Sequence, residues 1–235
     1  VHASPVVSDN HIYIGSFDGY LYCLEAQNGE LRWKFDTYGE PPYFKLGAIQ
    51  RAVTIVDDMI YFGSRDYNLY ALNKDDGSVK WFYHEPAGWI IAPPLVVNNE
   101  IFVGTSDAHK FYCIDRNTAK IKWQNNIGMR AYGKATLYKN YVLTGTHGGM
   151  LFVLDQKTGK KVDVFQTEES KKYYSRLFND NGNIVEGQEL YGPKLQENEK
   201  LIRKMGSIMH QPVLKDHHVL FGTTSGKLYC IELIQ

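Results

Sequence analysis

The sequence has no excess charge of either sign: 26 lysines and arginines balance 26 aspartates and glutamates. Gripping nucleic acid or an anionic membrane surface requires clustered basic charge, so neither partner is expected. No apolar run approaches the roughly 20 residues of a membrane-spanning helix. No signal peptide is visible, and the chain opens on valine rather than methionine. The expectation is therefore a module of a larger polypeptide, with a further segment or domain upstream. Only three cysteines occur, Cys23, Cys113 and Cys230, with no CxxC or Cys/His metal spacing among them. All three fall at one position of a repeat, so they are expected as small buried core residues on separate sheets, too far apart for a disulfide. Nucleophile-elbow, phosphate-loop and HExxH motifs are also missing, and no catalytic residue is assigned.

What the chain does have is a repeat. Residues 12–33 (IYIGSFDGYLYCLEAQNGELRW) return in altered form at 60–81, 101–123, 142–163 and 219–233. Each copy opens with a short apolar run ending in Gly15, Gly63, Gly104, Gly145 or Gly222. These runs are too short for helices and rich in β-branched and aromatic residues, so they read as strands. A tight turn follows, such as Asp18-Gly19 or His147-Gly148-Gly149, where glycine takes positive φ without steric cost. Then come a second strand (21–24 and its equivalents), another turn and a strand carrying Trp33, Trp81 or Trp123.

One more short strand lies a fixed distance upstream of each key glycine, at 5–7, 53–55, 94–97, 135–137 and 212–214. The unit is thus four antiparallel strands. Its central strands are apolar on both faces, so each sheet needs a neighbour on either side. Four-stranded sheets stacked face to face satisfy that need, and the fold class is all-β, a β-propeller. The blades are placed at 1–38, 48–83, 90–124, 132–167 and 206–235, within a single propeller domain or part of one. A Pro-Pro-stiffened loop is expected at 39–47.

Two irregularities stand out. Asp163 replaces the tryptophan of the fourth repeat, so that blade should be less well anchored; burying an indole is worth roughly 4–6 kcal/mol gross. Residues 168–205 do not fit the repeat and are read as an insertion, with short helices at 169–178 and 194–205 and a turn at Asn179-Asp180-Asn181-Gly182. The fifth blade stops before its outer strand, and an unpaired edge is a hazard that propellers cover with a strand from elsewhere.

The pattern G-S-x-D-G-x-L-Y-x-L through Trp33, repeated at Gly63-Ser64-Arg65-Asp66 through Trp81 and at Gly104-Thr105-Ser106-Asp107 through Trp123, resembles the repeat of the pyrroloquinoline-quinone-like propellers. The resemblance covers nearly everything outside 168–205. That family holds quinone-dependent dehydrogenases, an outer-membrane assembly lipoprotein that acts as a scaffold, and propellers fused to hydrolases. Fold alone does not choose among them. The dehydrogenases carry an adjacent-cysteine disulfide, a calcium set of Glu, Asn and Asp, and a tryptophan floor. No two cysteines are adjacent here and no residues match the calcium set, so neither the quinone nor calcium is expected. The resemblance implies the scaffold type, a protein partner and a periplasmic or exported location.

The ligand-binding candidates are residues just before the inner strands and in the first turns: His2, Arg51, Arg65, His109, Tyr132, Lys134, His147 and His210. In a propeller they would form a cationic, aromatic axial funnel suited to an anion or acidic peptide. His109 and His147 occupy corresponding turns but lack a third ligand, so no metal site is assigned. The expected function is a non-catalytic interaction scaffold. Its alternative is small-ligand or anion binding through the funnel, or service as the accessory domain of a fused hydrolase or oxidoreductase.

Overall fold

The computed structural model describes residues 2–37, 48–179, 182–190 and 192–233. The expected loop at 39–47 and the Asp180-Asn181 centre of the expected turn lie outside the described residues. Five separate sheets are present among them. The first holds β1 (Val6–Ser8), β2 (His11–Gly15), β3 (Tyr20–Glu25) and β4 (Leu31–Asp36). The second holds β5 (Thr54–Val56), β6 (Met59–Gly63), β7 (Asn68–Asn73) and β8 (Val79–His84). The third is built from β9 (Leu95–Val97), β10 (Glu100–Gly104), β11 (Lys110–Asp115) and β12 (Ile121–Asn126). The fourth contains β13 (Thr136–Tyr138), β14 (Tyr141–Gly145), β15 (Met150–Asp155) and β16 (Lys161–Gln166). The fifth has three strands, β17 (Val213–Lys215), β18 (His218–Gly222) and β19 (Leu228–Glu232). Strands neighbour one another in chain order in every sheet. Each key glycine closes the second strand of its sheet, and the short inner strands begin one residue later than expected in every repeat.

By contact density the chain divides into two units, Val1–Ala108 with Tyr112–Lys122, and His109–Phe111 with Trp123–Gln235. In the first, Tyr13, Leu21 and Cys23 of one sheet pack with Ile60, Phe62 and Leu72 of the next. Tyr61, Leu69 and Ala71 pack in turn with Ile101, Val103 and Ile114. In the second, Leu143, Leu151 and Val153 pack with Val219 and Phe221. Each cluster therefore joins two successive sheets, as face-to-face stacking of doubly apolar strands requires.

The reason for the glycines is visible here. A Cβ on Gly15 would lie 2.2 Å from Ile49 Cγ2, one on Gly63 2.2 Å from the Ile90 carbonyl oxygen, and one on Gly145 2.3 Å from Ile208 Cγ2. At these three places the chain entering the next sheet presses on the end of the previous second strand, and only glycine leaves room for it.

Tryptophan does the locking. Trp33 Nε1 donates to the carbonyl of Lys74 at 3.2 Å, Trp81 to Arg116 at 2.9 Å and Trp123 to Gln156 at 2.9 Å. Gly77 and Gly159, both at positive φ, lie under Trp33 and Trp123 so closely that a Cβ would clash with the ring. Cys23 and Cys113 are buried as expected. Cys230 is exposed, which corrects the reading of all three as core. It sits on β19, whose residues alternate between exposed and half-buried, because no fourth strand covers that edge among the described residues.

The insertion does form helices, α1 (Glu168–Tyr173), continued by a 3₁₀ turn, and α2 (Leu195–Lys204). Thr167 caps α1 by accepting from Ser170 N–H at 3.1 Å, and its hydroxyl donates to the Met205 carbonyl at 2.9 Å. One side chain thus ties the exit of the excursion to its return. Tyr174, Leu177, Phe178, Leu190, Ile202 and Met205 form its own small core, with Met129 packed into it.

Candidate functional site

The loops that enter each sheet also dock on that sheet's first turn. Arg65 N–H donates to the Ala48 carbonyl, Ser106 to Trp89, His147 to Arg130 and Thr224 to Ser207. Ala48, Trp89, Arg130 and Ser207 therefore share one repeat position, and each faces a turn residue. That pairing decides which of the sequence-derived candidates gain neighbours.

In the first unit, the Arg65 guanidinium lies 4.0 Å from the centre of the Trp89 ring, a cation–π contact. Its Nε is buried with no hydrogen-bond partner among the described residues. Beside it, Asp66 is held by Asn68 and by a short bond from the Tyr70 hydroxyl, and burial pushes its carboxyl above the ordinary range. His2 packs its ring 4.8 Å from Phe17. Arg51 is half-buried.

In the second unit, Tyr132 and His147 are brought together, with ring centres 5.4 Å apart. His147 Nδ1 is buried without a hydrogen-bond partner among the described residues. Burial first, and then the Arg130 charge, lower its pKa to about 4, so the ring is neutral at physiological pH. Arg130 is itself buried and pairs with Glu199 of α2 at 3.2 Å, which fastens the insertion to the loop entering the fourth sheet. Lys134 is pushed toward its neutral form by burial alone. His109 adopts φ +52°, the place that Gly19, Gly149 and Gly226 take in their own turns. His210 is exposed, and its backbone passes close to Gly133.

Two of the groups expected to make a cationic mouth, Lys134 and His147, are thus biased toward neutrality. Trp89, Arg130 and Glu199 were missed as neighbours of the candidates. Arg130 could have been found by aligning the loops as well as the strands, because that alignment sets it against His147. Trp89 aligns with Ser106, and its contact with Arg65 crosses to the preceding sheet's turn. Among the described residues no group of three His, Cys, Asp or Glu side chains converges.

The comparisons with known proteins fit this geometry. The family model described as outer membrane protein assembly factor BamB matches residues 1–89 and 47–235, which together span the chain. The chain belongs to the BamB family. It is similar in fold to BamB from Moraxella catarrhalis, with 18% identity and a TM-score of 0.67, covering 98% of this chain and 57% of that one. It is likewise similar to the quinohemoprotein alcohol dehydrogenase ADHIIG from Pseudomonas putida HK5, with 16% identity and a TM-score of 0.68, covering 98% of this chain and 40% of that one. At such identities the likeness shows the BamB-type propeller fold. A stretch of 51 residues, 20% of the chain, is 47% identical to the beta-alanine-activating enzyme of Danio rerio, of which it covers 4%. The chain spans well under two thirds of each of these relatives. No helix among the described residues is long and apolar enough to cross a membrane.

Proposed function

We propose that this chain is a non-catalytic recognition propeller whose helical insertion, residues 168–205, is the contact element for a protein partner. The observation that carries the reading is the way the insertion is held. Thr167 ties its two ends, Met129 enters its core and Arg130–Glu199 fixes α2. A segment that breaks the repeat, is anchored at both ends and keeps a charged outer face is preorganised for binding. Membership in a family of assembly factors supports a scaffold role. The local match to an activating enzyme many times its span favours a module of a larger polypeptide.

The test is affinity capture from extract of the source organism with two baits, the intact chain and one with 168–205 replaced by a short Gly-Ser linker. Loss of specific partners from the second bait is expected. Identical partner sets would overturn the role of the insertion, and saturable heat with a small anion in calorimetry would favour a ligand-binding protein instead.

A further inference from the structure

Three tryptophans in this chain occupy one kind of seat. Each donates its indole N–H to the carbonyl of the residue that follows the second long strand of the next sheet. Each acceptor residue is fixed in the same way. The backbone N–H groups of Lys74, Arg116 and Gln156 donate to the carbonyls of Asp58, Asn99 and Asn140. An aromatic ring flanks the indole from its own sheet, Tyr13 at 5.9 Å from Trp33 and Tyr61 at 6.1 Å from Trp81.

The fifth repeat builds the acceptor again. Leu233 N–H donates to the His217 carbonyl at 2.8 Å, the same bond at the same register. The fourth repeat does not supply the ring. Asp163 pairs with Val153 exactly where Trp33 pairs with Cys23 and Trp81 with Ala71. Its carboxylate accepts from Val164 N–H at 2.7 Å, and the residue is exposed. Where the indole is due there is a cavity of about 480 Å³, lined by Tyr138, Tyr141, Val153, Asp163, Ile231 and Leu233 among others. That volume lies within the range of small-molecule pockets.

We infer that this cavity receives the indole of a tryptophan presented by a partner polypeptide. The ring lies against Val153 and the Tyr138 and Tyr141 side chains, with its N–H directed at the Leu233 carbonyl. The three occupied seats define the occupant's chemistry: a flat bicyclic ring with one donor, carried on a side chain. An aliphatic group would leave the carbonyl without a donor. The choice of a polypeptide as source rests on the interaction reading above; the seat itself does not involve the insertion.

The experiment titrates the intact chain with N-acetyl-tryptophanamide, its 1-methyl derivative, free indole and the pentapeptide Gly-Gly-Trp-Gly-Gly, following backbone amide NMR shifts. Saturable shifts at 162–165 and 231–233 are expected, with the 1-methyl compound weaker by about 3- to 10-fold, the loss of one hydrogen bond. The pentapeptide should bind more tightly than indole. Asp163→Trp should fill the seat from within, abolish the shifts and raise Tm, whereas Asp163→Asn should leave binding intact. No saturable shifts, or shifts centred elsewhere, overturn the site, and this result is independent of the insertion-deletion capture. Indole binding at least as tightly as the pentapeptide overturns the polypeptide source. Should Asp163→Trp fail to fold, the wild-type shift map and the 1-methyl comparison still decide.

Discussion

Trp33 and Lys74 lie 41 residues apart in sequence, yet the indole N–H of one meets the carbonyl of the other at 3.2 Å. Trp81–Arg116 and Trp123–Gln156 repeat the bond. Each combines a large apolar contact with a satisfied donor, the arrangement in which tryptophan contributes most. Trp123→Ala should cost about 3–5 kcal/mol, the usual range for a buried large aromatic, and the half-buried Trp81→Ala about 2–4 kcal/mol. Asp163→Ala at the equivalent place should stay within about 0.5 kcal/mol, because its carboxylate is exposed. Urea melts of the three variants check this; equal losses at all three positions would show that the indoles do not lock the sheets.

The key glycines should not be equivalent. At Gly63 the nearest obstacle to a Cβ is a backbone carbonyl, that of Ile90, at 2.2 Å. At Gly145 it is a side-chain methyl of Ile208, which can rotate away at some cost in packing. At Gly222 nothing lies within 4 Å. Substitution by alanine is therefore expected to be worst at Gly63 (about 3 kcal/mol or more), intermediate at Gly145 (about 1–3 kcal/mol, as for overpacking) and near zero at Gly222. Thermal or urea denaturation gives the order directly. A large loss at Gly222 would mean that the glycine serves its strand rather than the neighbouring loop.

These two contrasts show what was legible in the sequence. Period and alternation located the five glycine-ended strands and their partners, because strand pairing is local and each repeat restates it. The helices of the insertion were also readable from their departure from the repeat. The purpose of the glycines was not, since it depends on Ile49, Ile90 and Ile208 arriving from the following repeat. Arg130 escaped for a related reason, since it faces His147 only when loops are superposed on turns, and Trp89 reaches Arg65 from the loop of the following sheet. The missing outer strand beside β19 was legible, but the exposure of Cys230 that follows from it was hidden by the repeat position it shares with the buried Cys23 and Cys113. Asp163 was seen as a missing anchor, but the cavity beside it needed the position of Leu233.

Thr167 concentrates two bonds in one hydroxyl at the base of the insertion. It accepts from Ser170 N–H and donates to the Met205 carbonyl, both buried. Thr167→Val keeps the shape and removes both. A loss of about 1–3 kcal/mol is expected, combining a helix cap with an unsatisfied buried carbonyl. The more telling measurement is hydrogen exchange. Protection should fall in α1, α2 and the strand-entry residues 205–208 while β2, β3, β6 and β7 keep theirs. Uniform loss would mean that the insertion is part of the global fold rather than a separately stitched element.

His147 makes the chain acid-sensitive with a definite sign. Its folded pKa of about 4 lies below the ordinary value near 6.5, chiefly through burial, with Arg130 and Arg203 adding repulsion and Glu199 opposing them. Between those pH values the unfolded chain binds a proton that the folded chain refuses. Stability is thus fully present above pH 6.5, falls as pH drops toward 4 and levels off below it. The drop amounts to about 3 kcal/mol. Asp66, whose carboxyl is raised by burial, works the other way: its folded form holds a proton longer, and stability declines as pH rises from about 3.8. The single curve of the wild type carries both contributions. Subtracting the curve of His147→Gln isolates the histidine, because the variant keeps a polar planar group and loses the titration. The difference should be flat above pH 6.5 and shrink steadily from 6.5 to 4 as the wild type loses its advantage. A difference that does not change with pH would mean that His147 takes up its proton in the folded state, with Glu199 answering the charge.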